Sequence, residues 1–173
     1  MWARAAILST PASDARCPGC GLVMPRRENL PPGGYYNISR ECWSVYTEVL
    51  ANEYGNAALF GQVHQLTVDA YAAQHAGGPH PDKSVDVHLV GLYLVIEKNV
   101  KPTDVPPRLQ RMVERTEAWP HFEPPNVDWT INVSDVALAE DHAAKVREWS
   151  AAVWQAWAPR HAAIAELALR TEA

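Results

Sequence analysis

Trp43, Tyr46, Leu50 and Tyr54 recur at spacings of three and four, which puts all four side chains on one face of a helix and leaves a strand no consistent face. The same period returns twice. It places His64, Val68, Tyr71 and His75 on a second stripe, and Val85, His88, Leu89, Leu92 and Ile96 on a third. Ser39 is a good N-cap for the first helix, with Glu41 in its first turn and Gly55 as a stop. The second helix is expected over 57–75, ended by Gly77, Gly78 and Pro79, and the third from near Ser84. Asp104 ahead of Pro106 and Pro107 predicts a short fourth helix that ends before Trp119-Pro120. The prolines of 119–133 predict an extended loop, with room for one short strand over the β-branched run Trp129 to Val133. A last long helix is expected from Ser134 or Ala139 to Leu169, kinked at Pro159. The fold class is therefore mainly α, a single-domain helical bundle over 17–170 with a loop-rich N-terminal metal-binding cap, preceded by a flexible N-terminus over 1–16.

Composition bears on what such a bundle can do. With 47% hydrophobic and 20% charged residues in 173, the chain can bury a core without a disulfide scaffold. A net charge of -5 argues against a nucleic-acid or acidic-membrane partner, both of which need a basic surface. The Arg108, Arg111 and Arg115 stripe reads as a solvated face. No apolar run is long enough for a membrane span, and the start of the sequence does not resemble an export signal. The expected setting is the cytoplasm, where thiols stay reduced and open to metals.

The sharpest local signal is Cys17-Pro18-Gly19-Cys20-Gly21. Two cysteines two residues apart can aim both sulfurs at one ion, and the glycines let backbone N–H groups approach the thiolates. Zinc is the expected cofactor. A second pair is absent, so the other ligands must come from elsewhere. Cys42 is the remaining thiol, near the N-terminus of the first helix, where a thiolate is stabilised; a small buried apolar residue is the alternative. No two of the seven histidines are four apart, which excludes a paired-histidine site on one helical turn. His75 and His88 are the preferred candidates for the fourth ligand, although a lone histidine on an apolar face, as His88 is, is commonly a hydrogen-bonded core residue. Asp69 and Gln74 leave the stripe that His75 follows. They read either as an exposed face or, for Asp69, as a carboxylate that orients a metal-bound histidine. Trp149, Trp154 and Trp157 read as core, and His161 as a core or rim histidine.

Several of these segments together carry a resemblance. Cys17 to Gly21, Ser39 to Trp43, Val68 to His75, Ser84 to Leu89, and Trp149 with Val153 to Trp157 and His161 resemble the uncharacterised bacterial family numbered five-nine-four-six among domains of unknown function. The likeness spans about residues 17–165, with a departure at Ala76, where the family pattern has proline. It implies a small soluble bacterial protein with metal-binding residues, and no established activity.

Two functions compete at this level. If Cys17, Cys20, Cys42 and a histidine close the site, the metal is structural and the protein is a binding module for a protein partner. If a position stays open, a zinc-dependent hydrolase or group transferase acting on a small molecule becomes possible, with Asp69, His75, His88 and His161 as acid, base or ligand candidates.

Overall fold

The computed structural model describes residues 13–172. Residues 1–12, most of the segment expected to be a flexible N-terminus, lie outside the described residues. The cap is loop-rich, as expected, and carries one short hairpin that also takes in residues 14–16. Strands β1 (Asp14–Arg16) and β2 (Val23–Pro25) pair antiparallel, with Ala15 opposite Met24. The CPGCG run is thus the tip of a β-hairpin. Its turn is closed by Cys17 N–H donating to the Leu22 carbonyl at 2.8 Å and Gly21 N–H to the Cys17 carbonyl at 2.9 Å. Gly21 has φ +75°, a conformation that glycine adopts without strain.

Among the described residues seven α-helices follow, in line with the mainly α expectation. Helix α1 (Arg40–Tyr54) starts at Ser39, whose side chain accepts from Cys42 N–H at 3.1 Å. Helix α2 (Ala57–Gln74) is capped by Asn56 and ends at His75. Helix α3 (Asp82–Ile96) begins two residues before the expected Ser84, directly after Pro81, a residue suited to helix starts. Helix α4 (Val105–Arg115) follows a 3-10 turn over Pro102–Asp104. Its arginines are not simply solvated: Arg111 and Arg115 donate to the carbonyls of Thr171 and Glu172, fastening the C-terminal turn.

The expected last helix is three. Helices α5 (Val133–Ala137), α6 (His142–Ala156) and α7 (His161–Ala168) replace it. Asn132 and Asp135 form a capping box at the start of α5, and Asp141 caps α6 afresh. Pro159 sits in a 3-10 turn between α6 and α7, so it breaks the helix rather than bending it. No strand forms over Trp129 to Val133; Val133 is the first residue of α5 instead.

Helix α2 is central and packs on α1, α3 and α6. Its side chains from Asp69 to Gln74 are all buried, and the core runs continuously from Cys17 in the hairpin to Ala168 in α7. Trp149, Trp154 and Trp157 are core, as expected, and each finds a polar partner. Trp149 donates to Gln74, Trp154 to Glu97 and Trp157 to the Ala73 carbonyl. No helix among the described residues is long and apolar enough to cross a membrane.

Candidate metal centre

The hairpin tip, the first turn of α1 and the end of α2 meet at one point. There Cys17, Cys20, Cys42 and His75 each offer a ligand atom, and the four atoms lie within 4.8 Å of one another. All four residues are buried. Cys20 Sγ stands 3.8 Å from Cys42 Sγ, and Cys42 Sγ stands 3.4 Å from His75 Nε2. The sulfur separation is far beyond the roughly 2.05 Å of a disulfide bond.

Local structure holds each donor. The Ser39 cap sets the start of α1 so that Cys42 falls in its first turn, facing inward. His75 ends α2, and its Nδ1 donates to the Tyr71 carbonyl at 2.7 Å. A carbonyl can only accept, so Nδ1 carries the proton and Nε2 turns its lone pair toward the sulfurs, the tautomer a metal requires. Tyr71 contributes again through its hydroxyl, 3.5 Å from Cys42 Sγ. Burial, and then the neighbouring Cys42, push its phenol well above the ordinary range, so the hydroxyl keeps its proton. The ring is stacked on Tyr46 at 3.7 Å between centroids, which fixes it beside the cluster.

Three sulfurs this close cannot all ionise without a compensating cation. Hydrogen bonds from Cys20 and Cys42 drive the Cys17 thiol far below its ordinary value. The hydrogen bond with Cys17 pushes Cys20 up to about 12, and the same neighbour pushes Cys42 further up. Soft thiolates with one imidazole form a donor set that fits a metal ion.

The remaining candidates lie elsewhere. His88 is not in this group: its Nδ1 donates to Asp69 Oδ1 at 2.8 Å, and Gln65 Nε2 donates to both Asp69 oxygens at 2.9 Å. Burial pushes the Asp69 carboxyl up, against the pull of His88 and Gln65. Asp69 does orient a histidine, as one reading expected, but not the histidine beside the cysteines. The alternative of an exposed face fails for Asp69 and for Gln74, both of which are buried. His161 lies flat on Trp154, 3.8 Å between centroids, and donates from Nε2 to the Trp154 carbonyl at 2.9 Å. The physical reason for the separation is that the cysteines gather at the hairpin end of α2, whereas α3 and α7 present His88 and His161 to other partners.

Sequence patterning missed two polar assemblies. His80 Nδ1 donates to the His75 carbonyl at 3.0 Å, and its Nε2 accepts from Ser84 Oγ at 2.8 Å. Glu53, fully buried, accepts from His64 Nδ1 at 2.8 Å, Thr67 Oγ1 at 2.5 Å and His142 Nε2 at 2.9 Å, tying α1, α2 and α6 together. Burial opposes ionisation of Glu53, but these three donors outweigh it and its carboxyl sits below the ordinary range. For the Glu53 assembly the available signal was His64 on an otherwise apolar helix face, whereas His80 lies in the loop before α3, where no periodicity marks it.

Comparison with curated proteins and with solved structures finds no match. A family model described as a family of unknown function matches residues 15–158, which takes in both hairpin cysteines, Cys42 and His75. By that match over most of its length, the chain belongs to the family DUF5946.

Proposed function

We propose that the protein is a zinc-binding helical module in which Cys17, Cys20, Cys42 and His75 hold a structural ion. The observation that carries this reading is the convergence of four soft donors, from three separate segments, inside the protein. The spacing supports zinc in particular. A tetrahedron with zinc–sulfur bonds of about 2.3 Å has sulfur–sulfur edges of about 3.8 Å. The separation of Cys20 and Cys42 sulfurs is 3.8 Å. Four protein donors complete a tetrahedral shell, leaving no position for water, which favours a structural over a catalytic ion. When bound, zinc supplies charge balance to the crowded thiolates and a crosslink between the hairpin and helices α1 and α2. The zinc-dependent hydrolase reading draws no support from this arrangement, because Asp69, His88 and His161 stand outside the cluster.

The test is metal analysis of the purified chain with Cys17→Ser beside it. About one zinc per chain is expected in the unmutated protein, and a large loss in the variant. Cobalt exchange should give the intense visible bands of a tetrahedral thiolate site. An unmutated chain that neither carries zinc nor takes up cobalt would sink the proposal.

A further inference from the structure

The outer nitrogen of His88 has no task in the core or in the cysteine cluster. Asp69 on α2 is fully buried and accepts the His88 Nδ1 proton, while Gln65 holds the same carboxylate from the other side. Gly91, three residues along α3 from His88, makes room for this pair: a Cβ there would stand inside the Asp69 carboxylate. A carboxylate that accepts from Nδ1 fixes the ring's tautomer and orientation and leaves Nε2 as the basic nitrogen. His88 Nε2 has no hydrogen-bond partner among the described residues, and it is not among their sealed, unpartnered polar atoms. The side chain is 15% exposed. That exposed edge lines a groove of about 330 Å³ shared with Tyr35, Pro81, Lys83, Ser84 and Val87.

We propose that His88 Nε2 is a general base for the hydrolysis of small neutral esters with an apolar acyl part, bound in this groove, and that Asp69 is its positioning residue. The groove selects the class. Its walls are mainly apolar, and the Lys83 ammonium sits over the Trp119 ring, 5.6 Å from its centroid, rather than against His88. A phosphoester would find little to balance its charge there. Water is the nucleophile, because no hydroxyl or thiol among the described residues hydrogen-bonds to His88 Nε2, the base of this pair.

In the step itself, a water oxygen bonds to the ester carbonyl carbon while one of its protons passes to His88 Nε2. The carbonyl π pair moves onto its oxygen. When that pair returns, the bond from carbon to the alcohol oxygen breaks, and the proton on Nε2 goes to the departing oxygen. Ester and water become acid and alcohol, with no oxidant or reductant. The Asp69 carboxylate stabilises the imidazolium between the two transfers. The proposal does not depend on the metal reading, since none of these residues belongs to the cysteine cluster.

The experiment uses the full chain as purified and p-nitrophenyl butyrate as the probe. Saturable turnover above the protein-free rate is expected. His88→Gln should lower kcat by about a hundredfold, the usual scale of general-base catalysis. Asp69→Asn should lower kcat at least about tenfold while KM stays within roughly twofold, because it acts on the imidazole and not on the groove. Val87→Trp, which fills the groove without touching the pair, should abolish saturation while helical content and zinc content hold. His121→Gln serves as the control for adventitious imidazole reactivity, its side chain being 60% exposed and not part of the groove lining, and should leave the rate unchanged. Absence of turnover in the unmutated chain, or a full rate in His88→Gln, overturns the proposal. Should Asp69→Asn fail to fold, Val87→Trp decides: an unchanged rate with the groove filled also overturns it.

Discussion

A Cβ at Gly19 would lie 2.6 Å from both the Asn37 carbonyl oxygen and His75 Cδ2. The hairpin tip can therefore close on His75 only because the residue between Pro18 and Cys20 has no side chain. Gly19→Ala should push the tip outward at a cost of about 1–3 kcal/mol, the range for overpacking a close contact. Competition with a chromophoric chelator should show faster and more complete zinc loss than from the unmutated chain; equal retention would contradict the close approach. Asp86 poses a different residue-scale problem. Both its oxygens are buried without a hydrogen-bond partner among the described residues. Burial, and then Asp82, raise its carboxyl from 3.8 to about 7. The folded state thus holds a proton that the unfolded chain releases near pH 4, so stability from this group is full below that value. It is lost as pH rises toward 7 and stays lost above it. Asp86→Asn, which cannot ionise, should match the unmutated chain near pH 4 and exceed it at pH 8 in denaturant midpoint. A midpoint difference that does not grow with pH would contradict this assignment. At this scale the sequence revealed the paired cysteines, because their spacing is local. It left His75 and His88 equal as fourth ligand, since only the placement of α3 against α2 sends His88 to Asp69 instead.

Helix α5 shows how a few polar atoms override propensity. The run Trp129 to Val133 is β-branched enough to suggest a strand, yet Asn132 accepts from Ser134 N–H at 2.9 Å and Asp135 accepts from Asn132 N–H at 2.8 Å. That reciprocal cap starts a five-residue helix whose Val133 and Val136 are fully buried and which packs against α1. Asn132→Ala should cost about 1 kcal/mol, the usual loss for a side-chain cap. Amide exchange in residues 133–137 should accelerate more than in α6; uniform protection would mean that packing on α1 alone holds the helix. Long apolar periodicity made α1 to α3 legible, and Asp104 with the prolines after it marked α4. Short elements were not legible, because five residues in α5 and three in each hairpin strand are too few for a period to repeat, and caps and turns define them instead. The last helix was misjudged for a related reason. The period continues across Pro159 and Asp141, but the proline cannot donate to the preceding turn, and Asp141 accepts from Ala144 N–H at 2.9 Å to begin a new helix.

The whole molecule is organised around α2, which carries Asp69 for His88, Gln74 for Trp149 and His75 for the cysteines along its C-terminal half. The N-terminal hairpin, by contrast, has three-residue strands and meets the rest mainly through the cysteine cluster and the contact of β2 with α1. A two-stranded hairpin of this size is not stable alone. Under the zinc reading the ion is therefore what attaches it, and metal removal should act in two stages. First, the hairpin should loosen, so that limited proteolysis of the chelated protein cuts near residues 14–37 while the helices persist by circular dichroism. Second, the core should lose the linkage stabilisation of a tightly bound ligand. An ion present at about a thousand times its dissociation constant contributes about 4 kcal/mol. For a chain of this length that corresponds to a fall in Tm of roughly 8–16 °C. Readdition of zinc should restore both the protease resistance and the Tm, because His75 is held by α2 whether or not the hairpin is docked. If chelation removes the ion and neither changes, then packing of Cys17, Cys20 and Cys42 as buried apolar groups holds the hairpin by itself, and the ion is not the crosslink proposed.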